Sequence, residues 1–139
     1  MIRYATIDDM KIAFELTKLL GSDTFTFEEF EKCFIHNLFN NHILLYEENR
    51  SVLGLGVLHI FYPLHHSRKI AEIMELVIAG DVRGKGIGKK LLDEMTIIAI
   101  QNKCVSIEVA SNRKRVDAHR FYKREGFLVS HFKFTKRIN

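Results

Sequence analysis

Between Asp81 and Met95 the chain reads DVRGKGIGKKLLDEM, with three glycines and four cations ahead of a run of helical periodicity. Ile87, Leu91, Leu92, Met95, Ile98 and Ala99 recur at the spacings of one helix face, so the glycines fall at a helix N-terminus. Such an end leaves four backbone N–H groups without partners and carries roughly half a positive charge. Gly84, Gly86 and Gly88 have no Cβ to hold a ligand off that backbone. Arg83, Lys85, Lys89 and Lys90 add positive field. The combination suits an oxyanion, most naturally a phosphate or pyrophosphate. It is not a P-loop, because Lys90 follows Gly88-Lys89 where Ser or Thr is required and Arg83 stands where the first glycine belongs. The Gly-x-Gly-x-x-Gly pattern fails too, since its third glycine falls on Lys89 or Leu91. The plainer alternative is a glycine-rich turn that merely joins a strand to a helix.

The elements that must position this turn follow from apolar spacing. Ile2–Thr6 reads as a first strand, and Thr6 or Asp8 can cap a helix carrying Ile12, Leu16 and Leu19. The segment Gly21–Asn41 suggests a second helix, with Phe27, Phe30, Phe34 and Leu38 in a stripe and Thr26 with Glu29 as a capping box. His42–Glu48 and Val52–Tyr62 read as a hairpin, in which Gly54 and Gly56 mark a bulge or a close backbone approach. Ile70–Ala79 is a largely buried strand, followed by the glycine turn and a helix from about Gly86 to Lys103. Cys104–Ala110 alternates with period two, turning Val105, Ile107 and Val109 inward. Asp117–Glu125 forms a short helix capped by Asp117 and stopped by Gly126, and FLVSHFKFTKRI supplies one or two last strands. Strands alternating with helices in the second half point to an α/β domain, residues 1–139, with a mixed sheet.

Bulk properties narrow the function classes. A chain of 139 residues accommodates one domain with one core. The net charge of +4 favours acidic ligands, but the cations are spread along the chain and no helix-turn-helix pattern stands out, so nucleic acid is not expected as a partner. No stretch reaches the ~18 apolar residues of a membrane span. The N-terminus lacks an apolar run behind a basic start, and Cys33 and Cys104 have no metal-like spacing; a cytoplasmic location is expected.

Arg83-Gly84-Lys85-Gly86-Ile87-Gly88 fits an Arg/Gln-x-x-Gly-x-Gly/Ala motif placed after the strand AEIMELVIA, and SNRKRVDAHRFYKREGF fits an Asn…Ala-x-x-Phe-Tyr-x-x-x-Gly-Phe segment. Together these resemble the GNAT superfamily of N-acetyltransferases. FYPLHHSRKIAEIMELV, NRKRVDAHRFYKREGF and SHFKFTK are similar, more narrowly, to the aminoalkylphosphonate N-acetyltransferases, with a looser match in the N-terminal half. The resemblance implies a GNAT fold, a mixed and partly splayed sheet flanked by helices. It also implies acetyl-CoA as co-substrate and direct acetyl transfer to a small primary amine. Divalent metal is left open, no metal ligands being indicated, and so is a homodimer.

The resemblance implies roles as well. The turn, Arg83 to Lys89, would hold the pyrophosphate of acetyl-CoA. The backbone of Leu76, Val77 and Ile78 would bond the pantetheine arm together with Asn112, and the Val77 N–H would polarise the thioester carbonyl. Glu72 occupies the family's commonest base position, with Glu75 as runner-up. Standing three apart on a strand, the two carboxylates are expected on opposite faces. Tyr122 would protonate the leaving thiolate. His65-His66 reads as a polar loop, His119 as a packing or turn-bonding group, and Lys114 and Arg115 as solvated cations or partners for an anionic acceptor or for the CoA phosphates. Other readings are an enzyme for a different small amine or a protein amino group, and a non-catalytic CoA-binding regulator.

Overall fold

Five apolar runs pair into one sheet. In the computed structural model, which describes residues 1–21 and 23–139, β1 (Ile2–Tyr4), β2 (His42–Glu48), β3 (Ser51–Phe61), β4 (Ile70–Ile78) and β5 (Ser106–Val109) lie side by side in chain order. The first three junctions are antiparallel and β4–β5 is parallel, the crossover being helix α3 (Ile87–Gln101). α1 (Met10–Lys18) and α2 (Phe27–Asn40) precede β2, and α4 (Val116–Arg124) follows β5. Asn49 and Arg50 turn the β2–β3 hairpin with φ of 51° and 65°, the left-handed pair that a two-residue turn needs.

The pleat divides the core. Leu44, Leu58, Ala71 and Ile73 meet the buried face of α3, Ile87, Leu91, Leu92, Met95, Ile98 and Ala99, as the helical spacing required. Ile43, Leu45, Leu55, Val57 and Val77 point the other way, onto Met10, Ala13 and Leu16 of α1 and Phe34 of α2. Gly54 and Gly56 admit α3 closely: a Cβ on Gly54 would stand 3.0 Å from Leu91, and one on Gly56 would stand 3.1 Å from Met95. Leu53 is also an extra residue opposite the Tyr46/Glu47 step, so the bulge and the close approach coincide.

Several expectations are corrected. Thr6 does form a capping box, with Asp9, but over a 3₁₀ turn at Ile7–Asp9, and this turn shifts the buried stripe of α1 to Met10, Ala13 and Leu16, leaving Leu19 50% exposed. α2 starts at Phe27 under the expected Thr26–Glu29 box; Ser22, within the proposed helical segment, lies outside the described residues. α4 starts at Val116, so Asp117 sits inside its first turn and bonds Arg120 at 3.1 Å instead of capping. Gly126, at φ 95°, ends that helix as expected. β5 is shorter than Cys104–Ala110, and Val105 is 53% exposed. The last strands do not form: from Leu128 on no residue joins a ladder, and Leu128, Phe132, Phe134 and Ile138 are 87–92% exposed. Their alternation is strand-like, but a strand is stabilised by a neighbour, and this segment has none among the described residues.

Candidate active site

The sheet opens where β5 stops. β5 accompanies β4 from Ile70↔Ser106 to Ile73↔Val109, and β4 then runs on to Ile78 against β3 alone. This is the splay that the family resemblance implies. The Ala79 N–H donates to Leu53 O at 2.9 Å. Ladder alternation therefore turns the backbone groups of Glu75 and Val77 toward β3 and those of Leu76 and Ile78 toward the vacated edge. The expected oxyanion donor is corrected accordingly. The Val77 N–H belongs to the ladder, and the donors offered to the cleft are those of Leu76 and Ile78.

A bulge sets the carboxylates. Val57 stands opposite Glu75 but Leu58 opposite Ile73, which leaves Met74 as an extra residue. Met74 reverses the parity of the strand. Glu72 (opposite His59) and Glu75 (opposite Val57) consequently share one face, the face covered by α1 and α2. The expectation of opposite faces fails for this reason. Burial pushes the Glu75 carboxyl above its ordinary value of 4.5.

β4 passes through a 3₁₀ turn, Gly80–Val82, into the glycine segment. Gly84 and Gly86 hold φ of 83° and 81°, a conformation that other residues adopt with strain. Gly86 is the N-cap of α3 with no side-chain hydrogen bond, and no acidic residue occupies the first turn. The Lys90 N–H makes the first bond back, to Gly86 O at 3.1 Å. The amides of Ile87, Gly88 and Lys89 precede it without intrahelical partners. Arg83 and Lys85 are exposed. Two assignments change. A Cβ on Gly88 would meet the Phe121 ring at 3.6 Å, an ordinary contact, so neither packing on α4 nor a left-handed backbone requires glycine there. Lys89 Nζ is engaged by Asp93 at 3.1 Å and Glu125 at 3.2 Å, which raise its pKa and compete with any phosphate.

On α4, Tyr122 is 8% exposed, edge-on to Phe121 and Phe127 with ring centroids 5.3 and 5.4 Å away. Burial raises its phenol above 10.0, while the Arg115 charge acts in the opposite sense. Asn112 holds the loop before this helix: its Oδ1 accepts from the Lys114 N–H at 2.9 Å, and its carbonyl accepts from His119 Nε2 at 2.8 Å, so His119 bonds this loop. Lys114 and Arg115 are exposed. Sequence reasoning passed over two groups. Ser111 Oγ, two residues beyond the last β4–β5 pair, is buried without a hydrogen-bond partner among the described residues. His59 faces Glu72 across the ladder. Neither belongs to the motifs that drew attention, and a lone Ser or His gives no pattern to read. His65 and His66 lie together, ring centroids 4.2 Å apart, and among the described residues no three His, Cys, Asp or Glu side chains gather to hold a metal.

The model of the acetyltransferase (GNAT) family matches residues 10–127. The chain belongs to the GNAT family. It is 39% identical over 139 residues to the aminoalkylphosphonate N-acetyltransferase of Salmonella typhimurium, covering 99% of this chain and 90% of that protein. A solved putative acetyltransferase from Agrobacterium tumefaciens superposes with a TM-score of 0.87 at 25% identity, covering 99% of both chains. A structure described as a transcriptional regulator from Bacillus halodurans gives the same TM-score at 22% identity and 99% coverage of both, a likeness of fold. The GNAT chain described here is an acetyl-CoA-dependent N-acetyltransferase. Its open β4 edge, uncapped α3 terminus, left-handed glycines and orphaned Ser111 hydroxyl suit that co-substrate. Among the described residues no helix is long and apolar enough to cross a membrane.

Proposed function

We propose that this enzyme acetylates a small primary amine by direct transfer, and that the acceptor is an aminoalkylphosphonate. The observation that carries the chemistry is the combination of a β4 stretch whose outer edge is free of β5 with two carboxylates on one adjoining face. The name of the 39% identical relative supports the acceptor class.

Acetyl-CoA supplies the acetyl group as a thioester. Gly84, Gly86 and the first amides of α3, with Arg83 and Lys85, take its pyrophosphate. The backbone of Leu76 and Ile78 and the amide nitrogen of Asn112 bond the pantetheine arm. One of the two strand amides receives the developing oxyanion, a contact worth about 3 kcal/mol. An alkylammonium costs about 4–5 kcal/mol to neutralise at pH 7. Glu75 takes that proton, since its burial favours a carboxyl that readily holds one, and Glu72 faces the same acceptor. Tyr122 stays protonated at neutral pH and returns a proton to the leaving sulfur. Neither Cys33, which is exposed, nor Cys104, beside the core, is needed as a nucleophile. The bare apolar tail favours a homodimer, and use of acetyl-CoA with two free thiols favours a cytoplasmic location.

Mass-spectrometric detection of N-acetylated 2-aminoethylphosphonate from acetyl-CoA and the purified enzyme tests the proposal. Turnover of 2-aminoethylphosphonate above its carboxylate analogue is expected. A preference for polyamines or a lysine peptide would discard the phosphonate.

A further inference from the structure

We infer that His59 presents a bare Nε2 to the incoming amine and acts as a third acceptor beside Glu72 and Glu75. The inference rests on the acetyltransfer reading above and adds a recognition element to it.

A one-way chain of hydrogen bonds determines which ring nitrogen carries the proton. The Cys33 carbonyl can only accept, and Asn37 Nδ2 donates to it at 2.8 Å. Asn37 must therefore turn its Oδ1 to Asn41, whose Nδ2 donates at 2.6 Å. Asn41 in turn has its Oδ1 left for His59 Nδ1, at 2.7 Å. An amide oxygen cannot donate, so Nδ1 carries the hydrogen and the neutral ring keeps Nε2 as a lone-pair acceptor. Phe61 stacks on the ring with planes 9° apart and centroids at 5.2 Å, which fixes its tilt. The relay runs from α2 to the centre of the sheet, and its terminus is a half-buried imidazole directly opposite Glu72.

The geometry matches an ammonium. Glu72 opposes His59, and Glu75 opposes Val57, two residues along β3 on the same face. A primary alkylammonium has three N–H donors. This face offers two carboxylates and one nitrogen acceptor, and the relay prevents the nitrogen from becoming a donor in its neutral form. A secondary or tertiary amine would leave one or more of these acceptors without a partner. The arrangement thereby selects primary amines. His59 binds and orients the amine, and the proton that leaves goes to a carboxylate.

Two measurements test this on the full-length enzyme. Nitrogen NMR of the imidazole should show the Nδ1–H tautomer, and the Nε2 signal should shift when 2-aminoethylphosphonate or propylamine is added. In kinetics, His59→Asn keeps a donor for Asn41 but removes the far acceptor, and should raise the amine KM about tenfold while sparing the acetyl-CoA KM. His59→Gln restores an acceptor at the Nε2 position and should recover most of that loss. An Nε2–H tautomer, an imidazole unmoved by both amines while acetyl-CoA binds normally, or equal behaviour of the two variants would overturn the inference. Failure of the wild-type enzyme to bind acetyl-CoA by calorimetry would instead overturn the acetyltransfer reading, and this inference with it.

Discussion

Glu72 and Glu75, three residues apart on β4, project from the same face of the sheet because Met74 is a bulge between them. One inserted residue thus converts two unrelated carboxylates into a pair beside the point where β4 and β5 part. Burial raises the Glu75 pKa above its ordinary value of 4.5.

Glu75→Gln should lower kcat about 10²-fold or more and remove the acid limb of the kcat/KM profile. That limb should lie above pH 4.5 in the wild type, since the buried carboxyl must lose its proton to act. The sign for stability is opposite. A carboxyl whose folded pKa is raised favours the folded state at low pH and loses that contribution as pH rises through the folded value. Glu75→Gln should therefore be more heat-stable than wild type at pH 8. Loss of the limb in Glu72→Gln alone would reassign the base.

Tyr122→Phe removes one oxygen from a packed ring and should leave folding intact. Turnover should fall about 10²-fold with acetyl-CoA affinity unchanged by calorimetry. An unchanged rate would remove Tyr122 from the acid role.

The glycines of the turn should separate by conformation. Gly86→Ala places a side chain at φ 81°, with a cost of roughly 1–2 kcal/mol, and should weaken acetyl-CoA binding at least tenfold. Gly88→Ala adds a methyl at ordinary contact distance from Phe121 and should spare both stability and binding. Equal losses in thermal melts and calorimetry would contradict this division.

Arg3 ties β1 to the start of α1, bonding Asp9 through two nitrogens at 2.9 Å and Glu47 at 3.0 Å. The Arg3 hydrogen bonds, foremost, hold the Asp9 pKa below 3.8. A depressed carboxylate stabilises the fold above its unfolded pKa, and this contribution fades as pH falls through the folded value. Asp9→Asn should cost about 2 kcal/mol in urea at pH 7, and the gap to wild type should close below pH 3.8. A constant gap down to pH 2 would refute the linkage.

Ending the chain after Phe127 removes the exposed Leu128, Val129, Phe132, Phe134 and Ile138. If the tail joins two copies, sedimentation should show a dimer for the whole chain and a monomer for the shortened one. A monomer in both cases would dismiss the assembly.

Much of this architecture was readable from local pattern. The core face of α3 emerged residue for residue, because a 3.6-residue period is a local property, and the glycine turn was visible because left-handed backbone and an uncapped helix start restrict residue type. What escaped depends on partners. Nothing in AEIMELVIA announces that Met74 is unpaired; that follows from its register with β3 and sets the Glu72–Glu75 geometry, while the Val77 correction follows from the Ala79–Leu53 bond at the strand's end. Lys89 looked free until α4 brought Glu125 to it. The tail has the alternation of a strand but no neighbour to pair with among the described residues.

The most direct test of the central claim is the rate of free-thiol release from acetyl-CoA with a panel of amines, with and without divalent metal. Amine-dependent release, fastest with 2-aminoethylphosphonate, is the predicted result. Tight acetyl-CoA binding with no release for any amine would contradict it.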